Sequence, residues 1–106
     1  SRGLGDVYKR QANIREALVS ALQANLCDAK LISEVRGTGL MIGIQPSTAT
    51  GEIVKRGLDR GLLLNIAGSD TIRVLPPLVM TLEQAGELGA GIAHILNDVA
   101  SQEDNA

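Results

Sequence analysis

Hydrophobic and polar positions along this chain follow two periods, one helical and one of strands, and the places where the period changes mark its elements. From Ala12 to about Cys27, apolar residues fall at Ile14, Leu18, Ala21, Leu22 and Leu26, a spacing of i, i+4, i+7 and i+8 that predicts an amphipathic helix with one dry face. Asp28-Ala29-Lys30 reads as a turn. Leu31 to Gln45 then carries Val35, Leu40, Ile42 and Ile44 at a loose period of two, as a strand would. Gly37, Gly39 and Gly43 interrupt that pattern, and glycines in a strand mark bulges or close approaches of another backbone or a ligand. Two strand segments, Leu31 to Glu34 and Gly39 to Gln45, are therefore expected around a kink at Arg36-Gly37-Thr38. Pro46, which has no N–H to donate, ends the run.

Ser47, Thr48 and Thr50 offer hydroxyl caps for a second helix from Thr50 to Arg60, with Ile53, Val54, Gly57 and Leu58 on its dry face. Lys55, Arg56 and Arg60 gather near its C-terminus, where the helix dipole favours cations, and Gly61 falls where a left-handed C-cap belongs. Leu62 to Ile66 is a continuous apolar run suited to a buried strand, and Gly68-Ser69-Asp70 turns it back into a second strand, Thr71 to Leu75. Thr81 and Gln84 have the spacing of a capping box at the head of a last helix, residues 82 to 99, with Leu82, Ala85, Leu88, Ile92, Ile95, Leu96 and Val99 as its dry stripe. Gly86, Gly89 and Gly91 each cost that helix up to ~1 kcal/mol relative to Ala, so close packing against a partner is expected to offset them. The order helix, strand, strand, helix, strand, strand, helix predicts an α+β fold, a small, mostly antiparallel sheet covered on one side by helices.

Both ends depart from these patterns. Residues 1–11, SRGLGDVYKRQ, hold the single Tyr and two of the twelve Gly with no apolar period. They read as a non-native leader resembling a translated sequencing adapter, or else as an ordinary disordered terminus, with the domain proper spanning residues 12–100 and beginning already inside a helix. Residues 101–106, SQEDNA, read as a disordered polar tail.

Composition narrows the partners. The 106 residues make at most one domain, with an aliphatic core, since Trp and Phe are absent. Ten Lys and Arg against twelve Asp and Glu leave a net charge of -2, with no basic stripe or stacking platform for nucleic acid. No apolar run approaches the ~20 residues of a membrane helix. The single Cys27 and single His94 cannot make an internal disulfide or a metal cluster, and a reducing cytoplasm is the default compartment. Cys27 has no His near it in sequence, and His94, beside the dry stripe, reads as a packed or half-exposed helix residue rather than a catalyst.

The candidate chemistry lies in GLLLNIAGSDTIRVLPPL, Gly61 to Leu78. Arg73 stands between Ile72 and Val74, before Leu75-Pro76-Pro77-Leu78, and looks like a charge carried toward the interior on a strand that enters a stiff corner. A guanidinium taken from water calls for a carboxylate or phosphate that matches its planar fork. The plainer reading is an arginine on the solvent-facing side of a strand.

EVRGTGLMIGI at Glu34 to Ile44, RGLLLNIAGSDTIRVLPPLVMT at Arg60 to Thr81, and the capped helix after them together resemble the C-terminal small domain of the class III pyridoxal-phosphate aminotransferases, fold-type I transferases. The acetylornithine, succinyldiaminopimelate and ornithine branch is the nearest likeness. The resemblance covers nearly all of Ala12 to Ala100, and its second phrase is the specific one. It implies that Arg73 binds the α-carboxylate of an amino-acid or 2-oxo-acid substrate. It also implies a homodimeric parent enzyme of arginine biosynthesis that moves an amino group between N-acetylornithine, or a related ω-amino acid, and 2-oxoglutarate. Pyridoxal 5'-phosphate, with its Schiff-base lysine, acidic ring partner and phosphate cup, would be held by a large domain outside this chain, so neither a catalytic nor a cofactor-binding residue is expected here, and the chain alone is expected to be inactive. Arg36 also matches a family position and reads either as a substrate contact or as an arginine paired with a carboxylate where domains meet. A free-standing α+β module holding a small carboxylate effector on Arg73, or a pure interaction domain, would account for the same residues without the missing part.

Overall fold

Helical spacing at Ile14, Leu18 and Leu22 places all three on one face of α1 (Arg2–Asn25), where each is fully buried. The computed structural model describes residues 2–47, 50–62, 64–68 and 70–104. A single 3-10 turn (Ala29–Leu31), capped by the Asp28 side chain on the Lys30 amide, leads into the sheet. The remaining elements are β1 (Ile32–Thr38), β2 (Met41–Pro46), α2 (Thr50–Asp59), β3 (Asn65–Ala67), β4 (Thr71–Val74) and α3 (Leu82–Asp104). The four strands run in the order β1-β2-β4-β3 with every pair antiparallel. This is the α+β class read from the sequence.

Strand alternation divides the sheet into two unlike faces. Ile42 and Ile44 of β2 lie opposite Val74 and Ile72 of β4. All four are buried against Ile14, Leu18 and Leu22 of α1, Ile53 of α2, and Ala85, Ile92, Ala93, Ile95, Leu96 and Val99 of α3. This one core takes in residues from all three helices. Among the described residues, no helix covers the other face of the sheet.

Several expectations shift in detail. Instead of a kink at residues 36–38, β1 continues through Gly37 to Thr38 and pairs with Met41, so that Gly39-Leu40 form a two-residue hairpin loop. Gly39 has φ +60, the left-handed first position of a type II′ turn, the kind whose twist matches a hairpin. The irregularity in β1 lies earlier, in a register shift between Ile32 and Glu34. β3 is shorter than the apolar run from which it was predicted, because Leu62 belongs to the end of α2. Its N–H donates to Gly57 O at 2.7 Å while that of Gly61 donates to Leu58 O at 3.0 Å, and Gly61 has φ +80. These are the two bonds and the left-handed residue of a Schellman cap. Leu64 is buried just before the strand begins, whereas Leu63 and Ser69 lie outside the described residues.

Of the expected caps of α2, Ser47 turns its hydroxyl to Lys30 O at 2.6 Å instead, and Thr48 lies outside the described residues. Leu58, placed on the dry face by periodicity, is 63% exposed. The capping box of α3 forms as expected: Gln84 N donates to Thr81 Oγ1 and Thr81 N to Gln84 Oε1, each at 3.0 Å.

At both ends the described residues extend the helices beyond their apolar patterns. Residues 2–11 form the first turns of α1 although none of their described side chains is buried, and Arg10 ties this stretch to the corner before α3 by donating to Leu78 O and Met80 O. At the other end α3 runs through Ser101 to Asp104, because no Gly or Pro interrupts its ladder there and Arg56 donates to Gln102 across from α2. Residues 105 and 106 lie outside the described residues. Asn97 joins the two long helices by accepting from Cys27 N and donating to Asn25 O, both at 2.9 Å.

Candidate functional site

Period-two alternation decides where Arg73 points. Ile72 and Val74 fill the core side of β4, so Arg73 falls on the helix-free face and is exposed rather than buried as its neighbours suggested. In the register of the sheet Arg36, Gly43, Arg73 and Asn65 form one row across β1, β2, β4 and β3. Residues paired in this way share a face, so Arg36 and Arg73 stand on either side of Gly43, about 10 Å apart at the backbone from two strand spacings. Gly43 projects no side chain between them. A Cβ added there would touch Thr71 Cγ2 at 3.4 Å and Arg36 Cγ at 3.6 Å, so even a methyl group would fill the slot.

The slot opens into a cleft of about 430 Å³ lined by Arg36, Met41, Gly43, Asp70, Thr71 and Arg73, among others. That volume suits a small ligand. The two arginines differ in their partners. Arg36 donates from Nη1 to Glu34 Oε2 at 2.7 Å and to Gln45 Oε1 at 3.3 Å, and from Nη2 to Thr71 Oγ1 at 3.0 Å. Thr71 donates its hydroxyl to Asp70 Oδ1 at 3.1 Å, and Gln45 Nε2 donates to Asp70 Oδ2 at the same distance. Arg73 makes no hydrogen bond or ion pair with the described residues, alone among the arginines whose side chains are described. Chemically, this is a cleft with one occupied guanidinium and one open one, able to hold a carboxylate on the open fork.

The other residues singled out in sequence lie elsewhere. Cys27 is exposed just past α1, and His94 is exposed on α3. Lys9, Lys30 and Lys55 are all exposed, and none lines the cleft. Pro76 is buried and Pro77 accepts a hydrogen bond from Met80 N at 3.0 Å, which turns the corner after β4. Gln45, Asp70 and Thr71 were not marked as site residues by their sequence neighbourhoods. Only the pairing of β1, β2 and β4 brings them to Arg36.

The antiparallel sheet with its three helices is a fold shared with solved aminotransferases. The chain is a member of the class-III aminotransferases, whose family model matches residues 5–96. It is 42% identical over 99 residues to an acetylornithine aminotransferase of Streptococcus mutans, an alignment covering 93% of this chain and 24% of that protein. It is 38% identical over 96 residues to a [LysW]-aminoadipate semialdehyde/glutamate semialdehyde transaminase of Sulfolobus acidocaldarius, covering 86% and 25%. Among solved structures, the ornithine aminotransferase of Plasmodium yoelii superposes with a TM-score of 0.72 at 26% identity, covering 84% of this chain and 24% of that one. That of Toxoplasma gondii shares the fold with a TM-score of 0.76 at 22% identity, covering 88% and 23%. The chain thus spans about a quarter of the length of the relatives it matches.

Proposed function

We propose that this chain supplies the carboxylate-binding arginine of a pyridoxal-phosphate-dependent transaminase that moves an amino group between N-acetylornithine, or a related ω-amino acid, and 2-oxoglutarate. The observation that carries this reading is the open Arg73 guanidinium over the Gly43 slot. Planar and permanently charged, it can donate to both oxygens of an α-carboxylate at once. Its strand, paired on both sides and anchored by buried Ile72 and Val74, fixes the sheet face from which the side chain projects. A carboxylate held in this way fixes the amino acid at one end and leaves its amino group free to be aimed at the reacting carbon, which is how positioning lowers a barrier.

The residues present do not fit the cofactor itself. Attachment of pyridoxal phosphate calls for a lysine amine in a pocket, and the three lysines of this chain are all exposed. In this reading the cofactor belongs to the portion of the relatives that the chain does not span, the intact parent is a homodimer, and the chain alone turns nothing over. The named activities of the acetylornithine and semialdehyde transaminases among its relatives support an ω-amino-acid donor.

The test is to join this chain to the large domain of a near relative and follow the cofactor's visible absorbance on adding N-acetylornithine, ornithine or 4-aminobutyrate. A spectral response to one of these donors, lost in Arg73→Ala with cofactor still bound, is the expected result. Bound cofactor with no response to any donor would reject the transaminase reading and favour a carboxylate-binding module.

A further inference from the structure

Two arginines on one sheet face beside one small cleft compete for whatever acids lie near them. Asp70 is the only acidic residue among those lining the cleft, and Glu34 stands on the same strand face as Arg36 two residues before it. Both are held by the Arg36 network. Glu34 pairs directly with Arg36 Nη1. Asp70 is held at one remove, through a ring in which Arg36 donates to Thr71 and Gln45, and these two donate in turn to the two Asp70 oxygens. The ring has a fixed polarity. A threonine hydroxyl has one proton, and because Thr71 gives it to Asp70 it can only accept from Arg36.

We propose that Arg36 is a positioning residue that, through Thr71 and Gln45, holds Asp70 away from Arg73 and so keeps the Arg73 guanidinium open to a ligand carboxylate. The purpose assigned to the open guanidinium rests on the carboxylate-binding reading of Arg73, whereas the pairing itself does not. Without the Arg36 fork, Gln45 Oε1 and the Thr71 hydroxyl lose their donor and the ring opens. Asp70 then shares the cleft with one cation that lacks a partner, Arg73. Arg36→Lys keeps the charge but not the fork that reaches Glu34, Gln45 and Thr71 together.

The experiment compares Arg73 Nε–Hε cross-peaks and their solvent exchange in isotope-labelled 106-residue chains: wild type, R36M, and R36M/D70N. In R36M the Arg73 peak is expected to move and its exchange to slow as Asp70 pairs with it, and R36M/D70N is expected to return both to the wild-type values. An Arg73 signal that R36M leaves in place, or a shift that D70N does not reverse, overturns the proposal. If R36M loses amide dispersion, R36K, a milder change at a half-exposed side chain, decides by the same readouts. Glutarate titration, read at the same peak, tests the underlying function separately. Affinity is expected to fall about two- to fivefold in R36M, as when one exposed ion pair competes, and to recover in R36M/D70N. A wild-type Arg73 peak that ignores glutarate would reject the carboxylate reading, while the variant comparison still decides whether Arg36 keeps Arg73 unpaired.

Discussion

At the scale of single residues, the cleft depends on what Gly43 and the two arginines make together. Gly43 gives room, Arg36 pairs with Glu34, and Arg73 is left without a partner among the described residues. Losing the Arg73 fork should therefore be costly even if the charge is kept. In the joined enzyme described above, Arg73→Lys is expected to lower kcat/KM by about ten- to a hundredfold, the worth of a charge-assisted bidentate contact, with cofactor binding unchanged. An unaltered kcat/KM would rule out the carboxylate role. Arg73 could be picked out from sequence because a charge between Ile72 and Val74 is conspicuous, but its exposure could not, since strand alternation does not say which face is bare. Arg36 was noticed only among glycines. Its partners Gln45 and Thr71 lie 9 and 35 residues away in the chain, and a link of that kind depends on sheet register, which no local pattern fixes.

At the scale of elements, the helices show which glycines are structural. A Cβ on Gly89 would lie 2.1 Å from Leu18 O, a backbone atom of α1, so α3 can approach α1 this closely only without a side chain there. Gly86 has nothing within 4 Å and is simply a poor helix former. Gly89→Ala is expected to destabilise the 106-residue chain by about 2 kcal/mol or more through overpacking, whereas Gly86→Ala should stabilise it by up to ~1 kcal/mol. Thr81→Ala, which removes one half of the capping box, should cost about 1 kcal/mol. Urea titrations should thus rank the midpoints Gly86→Ala, wild type, Thr81→Ala, Gly89→Ala, and a Gly89→Ala midpoint at or above wild type would contradict the close helix crossing. The capping box and the Gly61 cap could be read from sequence because each lies within a few residues of its partners. The close crossing at Gly89 could be expected only in kind, because its contact is with a backbone atom 71 residues away along the chain.

At the scale of the whole molecule, the chain is slightly extended for its size. Its radius of gyration is 14.0 Å, against about 13 Å for a compact domain of this length. The first turns of α1 contribute to this, with Leu4 and Tyr8 exposed and no buried residue among those described before Ile14. Deleting residues 1–9 should therefore change the unfolding free energy read from urea titration by no more than about 0.5 kcal/mol, since Arg10 and its carbonyl contacts remain. A second apolar surface gathers around the corner after β4, where Leu75 is 70% and Val79 85% exposed, beside Leu78 and Leu82. Large side chains clustered in this way favour association over solvation, and in the proposed parent this surface would meet the rest of the enzyme. Sedimentation velocity on the 106-residue chain should show concentration-dependent self-association, and Leu75→Glu with Val79→Glu should shift it toward monomer. Because both sites are exposed, the same double variant should leave the unfolding free energy read from urea titration within about 0.5 kcal/mol of wild type. A wild-type chain that stays monomeric at every concentration would show that this corner is not a contact surface in the free chain. Loss of stability in the double variant without loss of association would place the contact elsewhere, Leu58 of α2 being the next most exposed aliphatic side chain after Leu75 among the described residues.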